Sequence, residues 1–274
     1  MDERINRVIG VLNYKGGTGK TTTVVNLAAG LAQRGARVLC IDLDPQGNLA
    51  AHLGVKYSAT LSDLIRGEAE PSACIYNSRL NLDVIPSDRR LIKAERELWE
   101  LGNLRVARRV LADKLRNADD DYAFIIVDFP PSVTLISENG LLYVNELIIP
   151  MTMSHFSVLG TQQVVGTLKA VSRIPNHSLQ LTCILPTVYS GHIRKDREIM
   201  GKMQRMFGDK VAQPIRNNVK LAEAPEKQQT IFEYAPRSNG ASDYTAFVRQ
   251  VIRADPYFSS TPALAINQAL RRPD

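Results

Sequence analysis

Near the amino end, Lys15-Gly16-Gly17-Thr18-Gly19-Lys20-Thr21 combines two ammonium groups, two hydroxyls and three glycines, directly after the apolar run Val8-Ile9-Gly10-Val11-Leu12. Glycines at this density let successive backbone N–H groups turn inward around an anion, and a helix beginning there adds its positive dipole end. Gly19-Lys20-Thr21 completes the second half of the phosphate-loop pattern G-x-x-x-x-G-K-[ST], in which the lysine serves the β- and γ-phosphates and the hydroxyl serves Mg²⁺. Tyr14 stands where that pattern has its first glycine, and the added feature is a second lysine, Lys15, at the head of the loop. Three carboxylates sit at the ends of two other apolar runs. Asp42 and Asp44 follow Val38-Leu39-Cys40-Ile41, and Asp128 follows Phe124-Ile125-Ile126-Val127. A carboxylate closing an apolar strand is costly unless it serves an ion. Asp128 is therefore the natural outer-shell Mg²⁺ partner behind Thr21, against the plainer reading of a helix cap ahead of Pro130-Pro131-Ser132. Asp42 and Asp44, two apart at a strand end, are able to share one face. Spacing alone does not separate a metal role from a water-orienting role between them.

Four segments together resemble the ParA/MinD family of deviant Walker A ATPases, and the partition-type members in particular. They are the loop 15–21, the stretch Val38 to Asn48, the stretch Phe124 to Ser132, and the late segment Asn218-Val219-Lys220-Leu221-Ala222-Glu223-Ala224-Pro225. The resemblance spans about residues 5 to 255. It implies ATP and Mg²⁺ as cofactors, with Lys15, Gly16, Gly17, Thr18, Gly19, Lys20, Thr21 and Thr22 at the nucleotide and Thr21, Asp42 and Asp128 around the metal. It also implies that Asp44 orients the hydrolytic water. Lys15 is expected to cross to the phosphates of a second subunit, so that ATP closes a homodimer and hydrolysis opens it. Such a protein binds double-stranded DNA without sequence preference and has its slow hydrolysis stimulated by a ParB-like or adaptor partner. It positions a plasmid, a chromosome or a protein assembly, in the cytoplasm and on the nucleoid.

These side chains need a scaffold that brings distant strand ends together. Apolar runs at 8–12, 37–41, 80–85, 123–127, 146–151 and 179–185 read as strands, and helical patterns fall at 20–34, 88–117, 133–144 and 158–173. Near-continuous apolar strands alternating with helices predict an α/β fold: a single doubly wound, mostly parallel sheet covered on both faces. Such sheets bind ligands beyond the carboxyl ends of their strands. In 274 residues there is no Pro/Gly/Ser-rich linker, so residues 1–256 read as one ATPase domain and 257–274 as a tail able to form a short helix. No apolar run approaches eighteen residues, and Cys40, Cys74 and Cys183 show no metal spacing; Cys40 and Cys183 read as small buried hydrophobes.

The net charge of +6 points to an anionic partner. Residues 192–210 carry six bases against three acids, among them Arg194, Lys195 and Arg197, and Arg216, Lys220 and Arg237 follow downstream. These six are the expected DNA contacts, made to phosphates and weakened by salt. A second basic stretch, 89–116, holds nine bases against four acids spread around a helical wheel, which suits a solvated helix or a partner surface better than DNA. The alternative is a MinD-type membrane-cycling ATPase. It needs an amphipathic carboxyl-terminal helix, and the tail offers only Leu264, Ile266 and Leu270 on a thin apolar face, which makes a membrane partner the weaker expectation.

Overall fold

The computed structural model describes residues 6–116, 121–171, 174 and 177–253. The segment read as a tail, 257–274, lies outside the described residues, as do the last two residues of the helix expected over 158–173. Seven strands form one sheet in the order β3-β4-β2-β5-β1-β6-β7. They are β1 (Arg7–Val11), β2 (Val38–Asp42), β3 (Tyr76–Arg79), β4 (Leu82–Ile85), β5 (Phe124–Asp128), β6 (Glu146–Thr152) and β7 (Gln180–Thr187). All neighbours pair in parallel except β3 with β4.

The side-chain period of two divides each central strand between two cores. Val8, Leu39, Ile41, Ile125 and Val127 face one; Ile9, Val11, Val38, Cys40 and Ile126 face the other. The helix α1 (Lys20–Ala32) and the helix Asn239–Arg253 cover the second face, burying Leu27, Leu31, Tyr244 and Phe247. The helices Leu91–Glu100, Leu135–Tyr143 and His155–Val171 lie over the first. One close approach there demands glycine: a Cβ on Gly140 would stand 2.4 Å from Leu43 Cδ1 and 2.7 Å from Phe129 Cζ.

Three sequence expectations change. The helix expected over 88–117 is three pieces, Leu91–Glu100, Leu104–Ala107 and Val110–Leu115. Gly102 takes a left-handed φ of 67° and the Asn103 side chain caps the second piece by accepting from Val106 N–H, so local backbone chemistry overrides the helical pattern. The strand expected over 80–85 begins at Leu82, because Asn81 at φ 61° turns the chain out of β3. β3 itself, Tyr-Asn-Ser-Arg, carries no apolar alternation, since a partly buried edge strand needs none.

The other expected strands form within a residue or two of their predicted bounds, and all three cysteines are buried free thiols. In register, Val11 pairs with Asp128 and Asp42 pairs with Asp128. The ends of β1, β2 and β5 therefore align at one edge of the sheet, and the loops that carry Lys15, Asp44 and Asp128 meet there.

Candidate nucleotide site and basic surface

The loop 12–19 is built outward from β1 and anchored on its neighbours. Asn13 donates to Pro150 O at 2.7 Å, and its side-chain oxygen accepts from Lys15 N–H at 2.9 Å. Thr187, at the end of β7, donates to Thr18 O at 2.9 Å. Gly17 and Gly19 take φ of 70° and 85°, and Gly19 stands at the amino cap of α1. A Cβ built on Gly16 or Gly17 meets nothing within 4 Å. Packing leaves that side of the loop open, with the helix amino end beneath it.

Lys20, the first residue of α1, is buried and bridges back to Lys15 O at 3.3 Å. Burial lowers its pKa, while Asp128 and Asp44 draw it back up. The Thr21 hydroxyl donates to Asp128 Oδ2 at 2.6 Å, so the hydroxyl and carboxylate paired by sequence reasoning do meet. The other oxygen, Asp128 Oδ1, is buried and has no hydrogen-bond partner among the described residues. Asp42 lies one strand over and holds its loop together: its carboxylate accepts from Asp44 N–H at 2.9 Å and from Leu49 N–H at 3.1 Å. Asp44 is half-buried beyond it and accepts from Gln46 N–H at 2.9 Å.

Two buried carboxylates on paired strand ends disfavour each other's charge. Burial, then the neighbouring Asp128, pushes Asp42 well above the usual carboxylate range. Burial likewise raises Asp128 to about 7, opposed by the Thr21 hydrogen bond and by Lys20. Such a site is short of positive charge. Among the described residues no group of three or more His, Cys, Asp or Glu gathers to hold a metal. A hard cation here would rest on Thr21, Asp128 and the oxygens of its own ligand, the arrangement that Mg²⁺ adopts with phosphates.

Lys15 goes elsewhere. Its ammonium donates to Ser154 Oγ at 3.1 Å and to Ser157 Oγ at 3.3 Å, across the loop and away from Lys20. Sequence reasoning missed Asn13, Ser154, Ser157 and Thr187, whose partners are two residues away or more than 130. It missed Glu95 as well, which reaches from the helix Leu91–Glu100 to accept from Leu135 N–H at 2.5 Å, at the start of the helix after Asp128.

A family model described as an AAA domain matches residues 6–181. The chromosome-partitioning ATPase Soj of Treponema pallidum is 34% identical over 247 residues, 89% of this chain and 96% of Soj. The chain belongs to the ParA/MinD family of ATPases. Among solved structures, cobyrinic acid a,c-diamide synthase of Mycobacterium smegmatis, with bound ATP analogue and magnesium, is 29% identical with a TM-score of 0.78, over 93% of this chain and 97% of that one. MinD of Pyrococcus horikoshii, complexed with Mg-ADP, is 25% identical with a TM-score of 0.75, over 92% and 97%.

In this ParA/MinD-type chain the six candidate DNA contacts differ in how free their charge is. The helix Arg194–Phe207 buries Ile199, Met200 and Met203. It also turns Asp196 inward to accept from Ser190 N–H at 2.8 Å, which removes one acid from the surface. Lys195 is exposed; Arg194 pairs with Glu198 at 2.8 Å, and Arg197 donates to Gly191 O at 3.0 Å. Arg216 is a fork on Asp243, with its closest approach at 2.7 Å. Lys220 binds Glu223 at 2.8 Å and lies 5.6 Å from the Tyr234 ring centroid. Arg237 is exposed, and its side chain has no ion pair or hydrogen bond among the described residues. The second basic stretch spends part of its charge on ion pairs: Arg90 on Asp63 and Asp88, Lys93 on Glu97, Arg96 on Glu100, Arg108 on Glu138 and Arg116 on Asp113. Beside it Ile92, Trp99 and Val133 are exposed around a groove that Glu95, Thr134 and Leu135 complete. No described helix is long and apolar enough to cross a membrane.

Proposed function

We propose that this protein is a ParA-type positioning ATPase, which binds Mg²⁺-ATP at residues 15–22 and thereby closes a homodimer that grips DNA without sequence preference. The observation that carries the reading is the orphaned, buried Asp128 Oδ1 beside the Thr21 hydroxyl, at the foot of a loop whose Gly16 and Gly17 face open space. These residues fit a magnesium nucleotide. Lys20 and the loop amides would neutralise and orient its phosphates, and Thr21, Asp128 and Asp42 would hold the ion. Bound there, Mg²⁺ would supply charge neutralisation at the phosphate oxygens during phosphoryl transfer. Asp44, half-buried and accepting from Gln46 N–H, orients the attacking water in this reading. Asp42 supports it by holding the Asp44 backbone amide. Lys15 supplies its charge to the nucleotide of the second subunit, so the dimer exists only while both nucleotides are intact.

Arg237 and Lys195 offer phosphates the least compensated charge of the six. Dimerisation doubles the patch, which turns a weak contact into a useful one. A partner protein that accelerates hydrolysis completes the cycle, and a plasmid, chromosome or protein assembly is the cargo.

Light scattering with ATP or ADP, together with fluorescence anisotropy on two unrelated duplexes, tests this reading. ATP should yield a dimer and salt-sensitive binding to both duplexes. Equal DNA affinity with ADP and ATP would overturn it, and ATP-dependent pelleting with liposomes in place of DNA would favour the MinD-type alternative.

A further inference from the structure

Lys15 is held by hydroxyls. Its Nζ lies 3.1 Å from Ser154 Oγ and 3.3 Å from Ser157 Oγ, these two oxygens are 2.6 Å apart, and Ser157 Oγ is also 2.8 Å from Thr152 Oγ1. Ser157 is fully buried and Lys15 half-buried. The same group of residues ends β6 and starts the helix His155–Val171, where Ser154 Oγ accepts from Ser157 N–H at 3.2 Å. Among the described residues, no acidic side chain pairs with Lys15. An ammonium so placed is oriented but keeps its whole charge, because a neutral oxygen orders a donor without cancelling it. A carboxylate in the same place would hold the lysine far more tightly, and would repel any phosphate that came to claim it.

We propose that Thr152, Ser154 and Ser157 form a neutral cradle that positions Lys15 in the free subunit, and that its neutrality sets how readily Lys15 passes to the nucleotide of a second copy. The proposal rests on the functional reading above. The cradle bonds exist in the free subunit and are exchanged for phosphate contacts on dimerisation. Weakening the cradle therefore favours the dimer, and adding negative charge to it favours the monomer.

The test is sedimentation equilibrium of the full chain with a non-hydrolysable ATP analogue and Mg²⁺. Three variants are compared with the parent. Ser154→Asp keeps an oxygen for the Ser157 N–H cap and adds a carboxylate beside Nζ. It should weaken dimerisation about tenfold, the scale of one charge-assisted hydrogen bond, with ADP affinity unchanged. Ser154→Asn keeps the cap without the charge and should dimerise as the parent does. Ser157→Ala should dimerise several times more tightly than the parent, since one of the oxygens that hold Nζ in the free subunit is gone. These opposite signs are what a merely structural role would not produce. The proposal falls if Ser154→Asp matches the parent or if Ser154→Asn is as weak as Ser154→Asp.

A second readout needs no dimer. Acetylation of Lys15 in the nucleotide-free subunit, followed by mass spectrometry, should be faster in Ser157→Ala than in the parent. Equal rates would overturn the cradle. A parent that stays monomeric with the analogue while this difference holds would instead overturn the functional reading and leave the cradle standing.

Discussion

Asp128→Asn should make the protein more stable at neutral pH when metal and nucleotide are absent, although it removes the proposed Mg²⁺ ligand. Asp128 is buried, and Asp42 is aligned with it across paired strands. Its pKa rises from 3.8 to about 7. A raised carboxylate works against the fold as pH rises: the folded state keeps a proton that the unfolded chain has released. The loss begins near the unfolded value and is complete above the folded one. From pH 5 to pH 8 this group alone should cost the parent about 2–3 kcal/mol, roughly two pH units at about 1.4 kcal/mol each. For a chain of this size that is about 5–10 °C in Tm. Asparagine keeps an acceptor for the Thr21 hydroxyl but carries no charge, so the variant should lack this slope. Thermal melts in EDTA at intervals from pH 5 to pH 8 measure it. Parallel curves for parent and variant would refute the reasoning. Addition of Mg²⁺ and ATP should reverse the ranking, stabilising the parent at pH 8 and leaving the variant almost unmoved.

Asp44→Ala should slow ATP turnover about a hundredfold or more while ATP-dependent dimers persist, a pairing read by phosphate release beside light scattering. In DNA binding, Arg237→Ala should cost more affinity than Arg216→Ala, because Asp243 already neutralises Arg216. In a salt series the first should lower the slope by about two, one phosphate per subunit of a dimer, and the reverse ranking would remove Arg237 from the interface. Gly140→Ala should cost about 1–3 kcal/mol in urea denaturation, since its Cβ would be driven against Leu43 and Phe129.

Residues that act through neighbours in the chain were legible in the sequence. The phosphate loop, Asp42 with Asp44, and Asp128 with the proline pair after it are short segments that local spacing marks out, although spacing does not divide the roles of Asp42 and Asp44. The strands were legible for a related reason, since burial on both faces makes the central ones apolar throughout. Side-chain partnership across the fold was not. Nothing near Arg216 announces Asp243, and nothing near Lys15 announces Ser154. Charge counting misjudged the late basic segment in both directions: Asp196 turns inward and leaves it more positive at the surface, while Arg216 and Lys220 are already spoken for. The break at Gly102-Asn103 was visible as residues, but only the cap at Asn103 shows that the helix restarts there.

The strand order also governs when the site can exist as the chain is made. β1 carries the phosphate loop and emerges early, yet its sheet neighbours are β5 and β6. Asn13 has no anchor until Pro150 is available, and the Thr18 carbonyl waits for Thr187. Pairings this distant must close long loops before they return any free energy, which slows folding. A chain leaving the ribosome thus carries the whole Lys15–Thr21 motif well before it owns a phosphate cradle. Nucleotide can reward only the nearly finished protein, and ATP present during synthesis should act on the last stage of folding rather than the first.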